Sequence, residues 1–176
     1  MFTINLTGIK ILSGRILLKT GYKVIVRPHP ETVKRNFRLI ARLDAKFGSV
    51  PSFKLEKTVA TDESLLKADV LISDFSGIAL EYAFGTERPV LFIDVPPKVK
   101  NQRFQELGIE PIELEFRPKL GRIVSAHKLE KIPVILKELV SKTDDFRRNI
   151  TELRARTIFS LGESSGIGAQ HILNLL

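Results

Sequence analysis

The stretch at residues 68–95, ADVLISDFSGIALEYAFGTERPVLFIDV, limits the possible folds more than any other part of the chain. Val70, Leu71 and Ile72 form one apolar run, and Val90, Leu91, Phe92 and Ile93 form a second. Runs that are apolar on both faces suit parallel strands buried between two helical layers. Between them, Ala79, Leu80, Ala83 and Phe84 suit the buried face of a helix that begins near Ile78. The unit therefore reads strand, loop, helix, strand, with Ser73-Asp74-Phe75-Ser76-Gly77 as its loop. A loop of small hydroxyl residues and glycine that leads from a strand's carboxyl end into a helix leaves backbone N–H groups open to an anion. Open α/β sheets bind ligands at that edge.

The rest of the chain is consistent with one such sheet. At 176 residues and 43% hydrophobic, with no long polar tract, it predicts a single Rossmann-like domain over residues 1–176. Residues 127–176 form a helical carboxyl-terminal extension in this reading. The absence of cysteine excludes disulfides and thiolate metal sites. His29, His127 and His171 lie far apart without ligand spacing, so neither a metal nor another cofactor is expected. No apolar run approaches the roughly 18 residues of a membrane span, and no signal-peptide pattern opens the chain. The expectation is a soluble protein of the cytoplasm. The net charge of +8 is uneven: residues 1–47 hold ten Lys and Arg against two Asp and Glu, and the remainder is balanced. Such asymmetry points to an anionic partner.

Taken in order, residues 7–20 predict an amphipathic helix weakened by Gly14, with Gly21 as its stop. Residues 23–26, KVIV, read as a strand ending in Arg27-Pro28-His29-Pro30, with Pro30 at a first helical position. A second helix is expected over 31–47, with Val33, Phe37, Ile40, Leu43 and Phe47 on its apolar side. Residues 52–56 alternate as a short strand, and Asp62 is placed to cap a brief helix. After the central unit, a loop through Asn101, a helical stretch at 102–107 ended by Gly108, and a strand at 112–116 are expected. Helices follow at 127–141, 144–159 and 165–176, and the glycine-rich residues 162–168 read as a helix-to-helix turn. Helices that alternate with short buried strands give an α/β fold: a parallel sheet with helices on both faces.

Strands of such units point the same way, so the loops after 23–26 and 70–73 should open on one sheet edge. Arg27, His29, Ser73, Ser76 and two helix N-termini would then form an anion cradle, since aligned N–H dipoles and charge-assisted donors stabilise phosphate. One helix terminus gives an anion about 0.3–1 kcal/mol, so several donors must act together. His29 either braces the proline turn, donates to a phosphate oxygen, or takes a proton from an attacking hydroxyl. Arg27 is either a phosphate ligand or an ordinary surface ion pair. Ser76 and Gly77 cap the following helix, a role compatible with phosphate binding. Glu81, one turn on, suits a ribose diol, with a structural ion pair as the alternative. Asp74 reads as a turn former within the same substrate-binding loop. Lys34, Arg38, Arg42 and Lys46 recur every fourth residue; they form a solvated face or a contact for a membrane surface or polyanionic acceptor. A P-loop, a dinucleotide fingerprint and a D-x-D metal motif are all missing.

Val26-Arg27-Pro28-His29-Pro30, residues 68–84 and the RPVLFID of 88–94 together resemble the CDP-glycerol glycerophosphotransferase family of teichoic-acid polymerases and primases. The same layout is similar to the wider GT-B group, which includes UDP-N-acetylglucosamine 2-epimerase. The resemblance implies a GT-B fold of two Rossmann-like lobes, of which this chain holds the carboxyl-terminal, nucleotide-binding one. It implies attack by an acceptor hydroxyl on the β-phosphorus of CDP-glycerol, with CMP expelled. His29 and Arg27 would hold the transferring diphosphate as catalytic residues. Ser73, Asp74, Ser76 and Gly77 would bind the phosphates and Glu81 the ribose. Family members carry a second serine where Gly77 stands and an aspartate where Glu81 stands, and the sugar-nucleotide relatives match those positions better. An amino-terminal lobe is expected as a missing partner, which makes the chain a fragment or a lone binding domain. Envelope synthesis at the inner membrane face is the implied setting. The alternative is a stand-alone nucleotide- or sugar-nucleotide-binding module without turnover. Nucleic-acid binding through the basic first third is disfavoured, because aromatic side chains for stacking are sparse there.

Overall fold

In the computed structural model, which describes residues 2–6, 11–58, 61–96, 103, 106, 108 and 110–175, one all-parallel sheet organises the chain. Its strands are β1 (Phe2–Leu6), β2 (Val24–Pro28), β3 (Phe53–Leu55), β4 (Val70–Ser73), β5 (Val90–Asp94) and β6 (Gly121–Ser125). They lie in the order β3-β2-β1-β4-β5-β6. The helices are α1 (Ile11–Lys19), α2 (Pro30–Arg35), α3 (Phe37–Phe47), α4 (Glu63–Leu66), α5 (Ile78–Thr86), α6 (Ile112–Leu120), α7 (Ile132–Ser141), α8 (Thr143–Thr157) and α9 (Ser164–Leu173). The chain winds outward from β1 to β3, then returns and winds the other way from β4 to β6. The right-handed crossover rule for parallel strands assigns α1 and α3 to one face and α5 and α6 to the other. Helix α7 packs against β4, β5, β6 and α1, while α8 packs against α5 and α6. This is a Rossmann-like sheet with both faces covered, as the apolar runs predicted.

The two central runs are buried because helices close over both sides of them. Every residue of β4 is buried, and so are Val90, Leu91, Phe92 and Ile93 of β5. Each fully buried Leu or Ile there stabilises the fold by about 1.5–3 kcal/mol relative to exposure. Tyr82 of α5 donates from its phenol to Ala68 O at 2.9 Å, which satisfies the one polar atom on a buried ring. Burial pushes that phenol well above its ordinary range. Gly21 ends α1 at φ +78°, a left-handed conformation that favours glycine.

Five expectations change, the first being the turn expected over 162–168, which ends at Glu163 because Ser164–Leu173 is helix α9. The helix expected over 31–47 is two helices, because Asn36 leaves helical geometry and accepts Leu39 N–H at 3.3 Å as the cap of α3. Phe37, now in the first turn of α3, is 66% exposed instead of buried. The strand expected at 112–116 is the start of α6, whose buried residues Phe116, Arg117 and Leu120 have helical spacing. Glu115 and Lys119 pair along it at 2.7 Å. Strands β1 and β6 had no counterpart in the sequence reading. The expected loop and helix over 97–107 fall largely outside the described residues, as do residues 7–10 of the first helix.

Candidate functional site

The order reverses between β1 and β4; the loop after β4 borders that switch point, and the loop after β2 lies one strand away. Strand β2 runs extended through Pro28, and His29 caps α2 with Pro30 as its first residue. His29 Nδ1 accepts Glu31 N–H at 3.1 Å. Its carbonyl accepts Thr32 N–H at 2.8 Å and Val33 N–H at 3.2 Å. Pro30 has no N–H, so the first turn of α2 is satisfied internally and offers no donor to a ligand. The expectation of two helix N-termini in one cradle is therefore corrected to one. Because Nδ1 accepts, the neutral imidazole carries its proton on Nε2 and presents a donor.

The loop after β4 behaves differently. Ser76 O accepts Ala79 N–H at 3.0 Å, and Gly77 O accepts Leu80 N–H at 3.0 Å and Glu81 N–H at 3.2 Å. Among the described residues no group accepts from Gly77 N–H or Ile78 N–H. No side chain caps α5 either, so its positive end stays open. A side chain at Gly77 would meet nothing within 4 Å. The backbone at Gly77 is in the ordinary right-handed helical region, so strain does not demand glycine there.

A cleft of about 410 Å³ lies between the two loops. Pro28, His29 and Pro30 line it from one loop, and Ser76, Gly77, Ile78 and Glu81 from the other; Leu65, Arg27 and Asp62 complete it. Five sequence candidates thus meet: Arg27, His29, Ser76, Gly77 and Glu81. Two do not. Ser73 is fully buried, and among the described residues its Oγ has no hydrogen-bond partner. Asp74 is also buried and borders a separate small void with Phe75 and Arg117.

Arg27 is held by protein carboxylates. Its Nη2 donates to Asp62 Oδ1 at 3.2 Å and its Nη1 to Ser64 Oγ at 3.3 Å, with Glu56 Oε2 at 3.8 Å. Ser64 in turn donates to Glu56. Burial raises the Glu56 pKa, but hydrogen bonds from Ser64 and Lys54 and the charges of Lys54 and Arg27 outweigh it and leave the group lowered. Arg27 is thus a buried cation paired with a partly buried Glu56 and an exposed Asp62, where the sequence suggested either a phosphate ligand or a surface pair. Asp62, expected to cap α4, makes no side-chain cap bond and turns to Arg27. Glu56, Asp62 and Ser64 were not read as part of the site; 35 residues separate Arg27 from Asp62, and no local pattern marks such a pairing.

Lys34, Arg38, Arg42 and Lys46 are all exposed, but Lys34 sits on α2 and the others on α3. Lys34 also pairs with Glu31 at 3.8 Å, so the four do not form one helical stripe. Among the described residues no three His, Asp or Glu side chains cluster for a metal, and no described helix is long and apolar enough to cross a membrane.

Residues 12–96 match the family model described as CDP-Glycerol:Poly(glycerophosphate) glycerophosphotransferase. That stretch contains both rim loops, so the resemblance to this family holds over the part of the chain that builds the cleft. No curated protein sequence matches the chain. Among solved structures, it is similar to the UDP-GlcNAc 2-epimerase of Methanocaldococcus jannaschii, determined in complex with UDP-GlcNAc and UDP, at 16% identity and a TM-score of 0.51. The likeness covers 88% of this chain and 45% of that one, so this chain spans less than half of that protein's length. At this identity the likeness concerns the fold.

Proposed function

We propose that this chain is the donor-binding lobe of a GT-B-like transferase, which holds a nucleotide diphosphate donor, CDP-glycerol, across the cleft. The observation that carries this reading is the meeting of His29, the open end of α5 and Glu81 around one hollow at the carboxyl edge of the sheet. The Gly77 and Ile78 N–H groups face the phosphates, and the Glu81 carboxylate accepts from the ribose hydroxyls. His29 donates from Nε2 to the phosphate being transferred. An acceptor oxygen forms a bond to the β-phosphorus, the bond from that phosphorus to CMP breaks, and the acceptor's proton leaves to a base on the acceptor side. Such a transfer asks the protein mainly for positioning and charge stabilisation. Arg27 acts through the cleft wall, since two carboxylates already balance its charge. A binding lobe without turnover is the second reading. Release of CMP from CDP-glycerol by the purified chain separates the two.

His29 carries two roles that one pair of variants can split. His29→Asn keeps an acceptor at the cap of α2 and removes the Nε2 donor. His29→Ala removes both, and should lose about 1 kcal/mol of stability with the cap. Calorimetric titration with CDP should show about tenfold weaker binding for both variants, the value of one charge-assisted hydrogen bond. Thermal melts should show lowered stability for the alanine variant alone. Parental CDP affinity in His29→Asn would remove His29 from the ligand.

A further inference from the structure

Arg117 is the buried cation that the proposed reaction does not use. It lies on α6 at 4% exposure, with its guanidinium carbon 4.2 Å from the centre of the Phe75 ring and 5.3 Å from that of Phe92. Its hydrogen bonds are weak: Nη1 donates to Asp94 Oδ1 and Nη2 to Ile93 O, both at 3.4 Å. Among the described residues the buried Nε–H has no acceptor. A buried charge usually has close, complete pairing, because taking it out of water is costly. Here the pairing is long and one donor is orphaned, so the residue's contribution lies elsewhere.

What Arg117 does touch is the middle of the anion loop. Phe75 directly precedes Ser76, and the flat guanidinium lies over its ring within cation–π range. Between them and the first turn of α5 is a void of about 10 Å³, bordered by Asp74, Ser76, Ala79 and Glu113. That space holds about one water and no ring. The guanidinium thus fills the space beside the Phe75 ring, next to the backbone that leads into α5. Arg117 and Ala79, in the first turn of α5, line that same void.

We infer that Arg117 is a positioning residue for the diphosphate: it clamps Phe75 and so sets the direction of the Gly77 and Ile78 N–H groups. This rests on the reading of the cleft as a diphosphate site. A clamp of this kind predicts a loss confined to ligands with phosphates. Calorimetric titration of the full chain with CDP and with cytidine tests it, alongside circular dichroism for folding. Arg117→Met, which fills the space without charge or planarity, should weaken CDP about tenfold and leave cytidine within about twofold. Arg117→Lys, which keeps the charge but loses the flat face, should recover part of the difference. Equal loss for both ligands, or loss for neither, in folded Arg117→Met overturns the inference. Should Arg117→Met fail to fold, Phe75→Leu decides: selective loss of CDP supports the clamp and parental CDP affinity overturns it. A parent chain that binds CDP no tighter than cytidine overturns the cleft reading itself, and the clamp with it.

Discussion

Gly121→Ala is expected to break the β5–β6 edge of the sheet. Gly121 opens β6 directly opposite Val90, and a Cβ placed there would lie 1.7 Å from Val90 O, 2.7 Å from its carbonyl carbon and 2.9 Å from its nitrogen. All three are backbone atoms of a buried strand, so no side-chain rotation can make room. The backbone at Gly121 is extended, a conformation open to any residue; close approach alone demands glycine. Alanine would force β6 outward, with loss of the ladder from Val90–Gly121 to Asp94–Ser125 and of the packing of α6 and α7 on that strand. A backbone clash of this depth belongs to the rare substitutions that cost more than about 4 kcal/mol. The total stability of a domain is only about 5–15 kcal/mol. For a chain of this size the melting temperature should drop by at least about 8 °C, or the protein should fail to fold. A melt by circular dichroism within about 3 °C of the parent would show that β6 does not lie this close to β5.

The parts of the fold that were legible in the sequence are those whose signal is local. Val70 to Ile72 and Val90 to Ile93 are buried on both sides, and unbroken apolar runs express that directly. The loops around His29 and Ser76 were legible for a related reason, because proline, serine and glycine punctuate the chain where a strand gives way to a helix. Other elements carry weaker or misleading marks. Phe2-Thr3-Ile4-Asn5-Leu6 is short and interrupted by polar residues, yet it occupies the centre of the sheet, where neighbours on both sides pair with it. Ile112, Leu114 and Phe116 alternate as a strand would. Their segment is helical because acidic residues early and basic residues late suit its dipole and because Phe116 and Leu120 share its buried face. Gly121 to Ser125 is an edge strand with Ile123 exposed, so its pattern is diluted. Asn36 outweighs the apolar periodicity around it by capping α3. Least legible was the environment of Arg27, whose partners come from a distant part of the chain.

That environment gives the second large effect. Arg27 is 7% exposed, and the side chain of Glu56 facing it is 13% exposed, whereas Asp62 is open to water. Removing the guanidinium leaves Glu56 partly buried, with Ser64 and Lys54 as its remaining compensation. Arg27→Met, which keeps the bulk, should therefore cost about 3 kcal/mol, the low end for breaking a buried pair because Asp62 can hydrate. The melting temperature should fall by about 6–12 °C. Removing both partners is far less costly than removing one, so Arg27→Met combined with Glu56→Gln should recover most of that loss. The pH dependence follows from the sign of the Glu56 shift. Its folded pKa is lowered, so its stabilising contribution is complete above the ordinary glutamate range and is lost as pH falls through the folded value. The parent should weaken as pH drops below about 4.3, and Glu56→Gln should flatten that limb. Urea unfolding of the parent, both single variants and the double variant, at neutral pH and near pH 3, reads all of this. A phosphate ligand without a structural role would give the opposite pattern, with stability near parental in Arg27→Met and CDP affinity lost. Stability of the single variant within about 0.5 kcal/mol of the parent, or a double variant no better than the single, would return Arg27 to that role.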